Sequence, residues 1–309
     1  MQRIKLCPIS TNQMSTNQNQ RVFDSPAQGL TRAYTNARSL FGIAMTALAA
    51  TCLIISILPL FAVIIYVIIK GINRLNLDLF TALPPAASLS GGGVGNAILG
   101  TLIVVGIGAL ISVPFGILAA IYLSEFSSGR IDRWIRFATN VLSGVPSIIA
   151  GIFAYGIIVL TTKTFSAVAG GVALAVLMLP IIVRTTDEAL QIVPQDLRWA
   201  SVGMGASRYH TVVRVVLPAA LPAIVTGVTL AVARASGETA PLIFTALFTY
   251  FWPSGIWDPT PTLSVLIYNF ATSPFQDQQE LAWAASLILV ALVLLTSILA
   301  RWATRKSIY

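Results

Sequence analysis

The chain has 309 residues, 56% of them hydrophobic and 10% charged, with a formal net charge of +8. An ordinary soluble domain carries about 25% Asp, Glu, Lys and Arg, so this composition excludes a water-soluble body. The sign of the net charge identifies no partner until its placement is known.

Residues 1–38 are polar and rich in Asn, Gln, Ser and Thr. They lack the apolar core and small-residue cleavage site of a signal peptide and read as a mostly disordered tail. Residues 39–309 read as one membrane domain. Cys7 and Cys52 are too far apart in character and place to suggest a disulfide or a metal site.

A span needs about 20 apolar residues, because the hydrocarbon core is about 30 Å thick and a helix rises about 1.5 Å per residue. Such stretches occur at about 41–69, 96–122, 137–160, 167–183, 221–250 and 281–300. The expected fold class is an all-α integral membrane protein of about six transmembrane helices. Five Lys/Arg precede the first span; Arg130, Arg133 and Arg136 follow the second; Arg184, Arg198, Arg208 and Arg214 follow the fourth; Arg301, Arg305 and Lys306 follow the last. The alternate loops hold only Lys70, Arg74 and Lys163. This asymmetry places both termini in the cytoplasm and makes the positive charge a topology signal rather than a nucleic-acid footprint.

The second span opens on Gly91, Gly92, Gly93 and Gly95 and continues through Gly100, Gly106, Gly108 and Gly116, residues that let helix backbones approach closely in lipid. Pro114, Pro146, Pro180 and Pro241 lie in or at the ends of spans. They fit either kinked, tightly packed helices or the flexible lining of a translocation path.

The cytoplasmic loop 184–218 predicts two short helices. Pro194 fits the first turn of one that places Leu197, Ala200, Ser201 and Met204 near one face. Gly205 fits its stop, and Ser207 caps the next helix at Arg208. Such a hairpin either docks in a partner's groove through Leu197, Trp199 and Met204, or lies on anionic headgroups through Arg198, Arg208 and Arg214.

In the fifth expected span, Arg234 and Glu238 stand four residues apart, so both share one helical face. A charge at the bilayer centre costs at least about 2.5–3.5 kcal/mol, which turns such residues toward the bundle interior. Gly237 and Pro241 bracket Glu238 and predict a helix break there. The pair is either a structural ion pair or part of a substrate path, where the five-donor guanidinium suits an oxyanion.

Chemistry performed by the chain itself finds no support. The sequence contains no Gly-x-Ser-x-Gly elbow, no His-Glu-x-x-His pair and no phosphate-binding loop around any of its four lysines, and its single histidine, His210, lies in the polar loop. The expectation is a transport subunit and not an enzyme.

Two motifs carry a resemblance. Trp199-Ala200-Ser201, Gly205 and Val215-Val216-Leu217-Pro218 resemble the EAA loop of ABC importer permeases, with Trp199 where that family has Glu. The run from Ala233 to Leu242, with Phe244-Thr245-Ala246-Leu247, Ser273-Pro274-Phe275 and Leu281-Ala282-Trp283-Ala284, is similar to the PstA-type permeases of phosphate ABC importers. Ile121–Phe126, Gly144–Ile148 and Val183–Thr186 agree, so the likeness covers roughly residues 90–301.

The resemblance implies a MetI-like fold in the bacterial plasma (inner) membrane. It implies a translocation path shared with a second permease and a docked dimer of ATP-binding subunits that holds the ATP and Mg2+. An extracytoplasmic phosphate-binding protein would deliver substrate, with membrane lipids as the remaining neighbours. It assigns transport to Arg184, Arg234 and Glu238, and ATPase coupling to the loop holding Leu197 through Gly205 and Leu217-Pro218. The alternatives are an ABC permease for another anion or polar solute, and a secondary transporter, whose paired inverted repeats are not visible in the sequence.

Overall fold

The computed structural model describes residues 37–305 except Ser88 and Ser128. The expected tail and Cys7 therefore fall outside the described residues up to residue 36, whereas helix α1 (Ala37–Ile72) begins inside the stretch assigned to the tail. The chain divides at Ala62/Val63 into two units. The described part of the first is the opening of α1, which carries Pro59 and the free thiol of Cys52.

After a five-residue helix over Leu77–Thr81, the second unit holds the longer helices. They are α2 (Gly95–Phe126), α3 (Arg130–Ser143), α4 (Ser147–Thr162), α5 (Ala167–Ile192), α6 (Gln195–Gly203), α7 (Arg208–Ser236), α8 (Leu263–Ala271) and α9 (Gln276–Arg305). Among the described residues, five helices are long and apolar enough to cross a membrane, and a sixth span arises if α3 and α4 are counted together. The chain is an all-α, multi-pass membrane protein.

Four boundaries differ from the sequence expectation. The glycines from Gly91 to Gly93 are loop, not helix: Gly91 and Gly92 have φ of 95° and 73°, and Gly93 and Val94 donate to the Leu83 and Leu79 carbonyls. The third span, expected at 137–160, is broken by 102° between α3 and α4. Pro146 disfavours helix at Val145, and α3 alternates Arg130, Asp132, Arg133 and Arg136 with apolar residues, as an interfacial helix does. The fourth span runs on past Val183 to Ile192 because Thr186, Asp187, Ala189 and Leu190 keep a buried face at helical spacing. Arg184 is consequently in a helix, and the loop expected at 184–218 shrinks to the links around α6.

The fifth span shifts furthest. It starts at Arg208 and stops at Ser236 instead of running over 221–250, because Gly237, a charge at Glu238 and a proline at 241 follow one another. Residues 237–262 are irregular apart from the single turn Ala240–Ile243. The nine-residue α8 that follows is too short to cross a membrane. It buries Leu263, Leu266 and Phe270 beside Leu281 and Ala285 of α9, and its first backbone N–H donates to Thr101 Oγ1 of α2 at 2.8 Å.

Packing centres on α5 against α2 and α7. A Cβ on Gly108 would lie 3.1 Å from the Gly171 carbonyl oxygen, and one on Gly116 would lie 2.8 Å from Ile182 Cγ2. Gly227 of α7 lies directly against Thr185 of α5. Lipid tails are as apolar as a leucine side chain, so close approach and dispersion hold these helices together. Outside the spans, Arg74 Nη2 and Nε donate to Asp277 and Glu280 at 2.6 and 2.9 Å, joining the turn after α1 to the start of α9. Burial opposes the charge on Arg74, but its hydrogen bonds to Glu280 and Asp277 outweigh that and raise its pKa above the ordinary value.

Two glycines on α2 separate packing from helix propensity. Gly106 has open space where a Cβ would stand, so Gly106→Ala should keep or raise thermal stability in detergent, by up to about 1 kcal/mol from propensity. Gly116→Ala pushes into Ile182 and should lower it by about 1–3 kcal/mol, the range for overpacking. Thermal unfolding of the two purified variants gives the comparison, and equal melting points would refute this account of the α2–α5 contact.

Candidate substrate cavity and docking hairpin

Arg184 lies on α5, one helical turn beyond Pro180, and Arg234 lies on α7 three residues before Gly237. The contact of Gly227 with Thr185 brings these two helices together closely enough for both arginines to line one cavity of about 340 Å³. Glu238 joins them from just beyond the helix end. Ser143, Ser147 and Thr185 add hydroxyls, and Pro146 and Pro180 shape the wall.

Each arginine has its own carboxylate four residues on. Arg184 Nε donates to Glu188 Oε1 at 3.0 Å, with side chains 66% and 60% exposed. Arg234 Nε stands 3.7 Å from Glu238 Oε1, with side chains 67% and 21% exposed. The Arg184–Glu188 pair, open on both sides, contributes about 0.2–1 kcal/mol, and the Arg234–Glu238 pair is held only by a long 3.7 Å approach. Either guanidinium can therefore exchange its carboxylate for an entering anion at small cost. Arg234 lines the cavity, and its side chain is 67% exposed on the cavity wall.

The break beyond α7 is held firmly. Gly237 and Glu238 donate their N–H groups to the Arg234 and Ala235 carbonyls at 3.1 and 3.2 Å. The Glu238 carbonyl accepts from Ser264 Oγ of α8 at 3.0 Å. Pro241 lies against Gly151 of α4, where a Cβ would stand 2.6 Å from Pro241 Cα.

Below the cavity, a second polar cluster joins α3 to α5. Arg136 donates to both Asp132 and Asp187, and Gln191 Nε2 donates to Asp187 Oδ2 at 3.0 Å. Sequence reading missed this cluster. Asp187 stands three residues after Arg184, but nothing in the sequence places it opposite Arg136.

The segment from Gln195 to Thr211 folds into the expected hairpin, with one shift: Pro194 is the N-cap of α6 and not a residue of its first turn. Gly205 has φ 88°, a conformation that strains a residue with a Cβ. Ser207 Oγ accepts from the His210 N–H, and the Ser201 and Thr211 hydroxyls meet at 2.9 Å. Leu197, Trp199 and Met204 are exposed, Met204 to 90%. A shallow groove runs along Leu197, Ala200, Ser201, Met204 and Gly205 to Val215, and Leu217 and Pro218 follow in α7. Arg198, read as a candidate for lipid phosphates, faces inward at 12% exposure and pairs with Glu125.

The family described as the inner membrane component of binding-protein-dependent transport systems matches residues 112–309. A phosphate transport system permease protein PstA of Haemophilus influenzae is 43% identical over 260 residues, covering 83% of this chain and 91% of that one. PstA of Yersinia pestis is 42% identical over 236 residues, covering 75% and 79%. PstA 1 of Mycobacterium tuberculosis H37Rv is 33% identical over 286 residues, covering 91% and 93%. Among solved structures, the MetNI methionine ABC transporter aligns at a TM-score of 0.55 and 23% identity over 70% of this chain and 95% of that one. A bacterial alginate ABC transporter aligns at 0.61 and 15% over 89% and 98%. At these identities the structures carry the fold, and the sequence relatives carry the family. The chain belongs to the binding-protein-dependent transport system inner membrane components, among the PstA-type permeases.

Proposed function

We propose that this chain is one of two permease subunits of an ATP-driven importer of inorganic phosphate, with both termini in the cytoplasm. The observation that carries the reading is the cavity where Arg184 and Arg234 converge with Glu238, in a chain whose relatives are phosphate permeases. In this reading the second permease faces the open side of the cavity. A dimer of ATP-binding subunits docks below on the α6 hairpin and supplies all ATP and Mg2+ chemistry. A phosphate-binding protein delivers substrate from outside.

Arg184 and Arg234 attract the anion and exchange their weak carboxylate partners for its oxygens. Glu238 repels a fully ionised oxyanion, whereas phosphate still carries a proton at neutral pH and can donate it in a hydrogen bond to that carboxylate. The loose Arg234–Glu238 pairing leaves both groups available for this exchange.

Radiolabelled phosphate uptake in cells lacking the wild-type chain tests the reading. Arg234→Gln removes a charge-assisted hydrogen-bond donor worth about 1.5–3 kcal/mol, and should cut uptake about 10- to 100-fold while the ATPase still co-purifies. Normal uptake by this variant would make the pair structural, and uptake that competes with sulfate but not phosphate would overturn the substrate. Docking is tested at the turn. Gly205→Pro forbids φ 88° and should lower ATPase recovery several-fold in a complex that still inserts; unchanged recovery would refute the docking role.

A further inference from the structure

Arg198 lies on the inward side of the docking helix α6. Its Nη2 donates to Glu125 Oε1 and to the Leu190 carbonyl, both at 2.8 Å, and its Nη1 donates to the Val193 carbonyl at 2.5 Å. The two carbonyls belong to the C-terminal end of α5, where the last carbonyls of a helix lack intrahelical partners and the dipole favours a cation. One planar fork thus ties together α6, the end of α5 and Glu125.

Glu125 stands in the turn Tyr122–Phe126, where α2 closes as a π-helix: the Ser127 N–H reaches back five residues to the Tyr122 carbonyl at 2.7 Å. Such turns are uncommon and are frequent at functional sites. The other limb of the hairpin grips the same turn, since the Arg208 guanidinium stands over the Phe126 ring at 5.6 Å from its centroid. Side-chain exposure is 12% for Arg198 and 9% for Glu125, against 66% and 67% for the arginines of the cavity. Nε of Arg198 is buried without a hydrogen-bond partner, so the guanidinium is not fully satisfied in this arrangement.

We propose that Arg198 is a positioning residue for ATP-driven transport. It holds the docking hairpin and the ends of α2 and α5 as one body, and the π turn Tyr122–Phe126 receives displacement of the hairpin and passes it to α2. The inference rests on the reading of the hairpin as the ATPase dock. Without the Arg198–Glu125 link, the hairpin still presents Leu197, Trp199 and Met204 outward and still binds the ATPase, but its displacement no longer moves α2.

The test uses the complete importer in proteoliposomes, with the phosphate-loaded binding protein and ATP. Four readouts are taken: ATPase recovery, melting temperature, basal hydrolysis, and phosphate imported per ATP hydrolysed. Glu125→Ala should leave recovery and basal hydrolysis within about twofold and lower phosphate imported per ATP by tenfold or more. Glu125→Gln retains a carbonyl that accepts from Arg198, and should keep at least half of the wild-type ratio. Phe126→Leu, which removes the ring under Arg208 and keeps an apolar side chain, should lower the ratio about two- to fivefold and serves if Glu125→Ala does not assemble.

An unchanged ratio in Glu125→Ala, or in Phe126→Leu where the former fails, overturns the proposal. So does a fall in recovery and melting temperature with a normal ratio in what remains, the mark of a purely structural link. A wild-type complex that retains no ATPase overturns the docking reading and this inference with it. Import of another anion with a normal wild-type ratio overturns the substrate alone, and the Glu125 comparison is then read with that anion.

Discussion

The packing of α2, α4 and α7 is arranged around the burial of α5. Of its apolar window, 61% is buried, whereas the other spans reach at most 28%. A helix so enclosed in a membrane protein cannot be held by hydrophobic exclusion, because lipid would solvate it equally well. It is held by fit: Gly170 and Gly171 admit side chains and backbone from neighbouring helices, Gly108 and Gly116 of α2 press onto its other positions, and Gly227 of α7 accepts Thr185. The same helix carries Arg184 to the cavity, Asp187 to Arg136, and the Leu190 carbonyl to Arg198. Packing, the candidate substrate site and the connection to the hairpin are consequently consequences of one helix's placement.

The charged residues divide by how tightly they are held. Arg198 with Glu125 is nearly buried and makes three hydrogen bonds, and Arg136 binds two carboxylates, one of them buried. Ion pairs held by several hydrogen bonds at buried or half-buried positions are not readily exchanged for a competing ion. Those pairs fix geometry. Arg184–Glu188 is open on both sides, and Arg234–Glu238 is long, at 3.7 Å, with an open guanidinium. The two classes meet on α5, which carries Asp187 of the first and Arg184 with Glu188 of the second, and in the proposed function they suit different work: an entering anion can displace the second kind and not the first.

The sequence was most informative where one physical rule dominates. Long apolar runs fix the existence of α1, α2, α5, α7 and α9, and a charge pair in an apolar stretch points to the cavity whatever its exact depth. It was least informative at ends. Hydropathy averages over a window, so the run 221–250 looked continuous although Gly237, Glu238 and Pro241 stop the helix. The third span looked whole because the Ile148–Leu160 run hides the bend at Pro146. The polar continuation of α5 past Val183 is hidden from hydropathy because its buried face includes Asp187, whose partner Arg136 lies 51 residues earlier. Arg198 was misplaced for the same reason, since its burial depends on Glu125, 73 residues earlier.

Distance along α5 sets how directly the hairpin and the cavity are connected. Arg184 stands six residues before Leu190, about 9 Å at 1.5 Å per residue. The intervening stretch is unbroken helix with Thr186, Asp187 and Ala189 buried in packing. Pro180, the residue most able to flex this helix, lies on the far side of Arg184 and leaves the segment between cavity and hairpin intact. A displacement entering at the Leu190 and Val193 carbonyls would reach Arg184 without crossing a hinge. Arg234 has no such direct route. It is reached through α7, which begins in the hairpin's second limb at Arg208 and passes the π turn Val212–Val216 and then Pro222 before the cavity. The two arginines are thus linked to one hairpin by a stiff arm and a compliant one, and a shared displacement would change the distance between them.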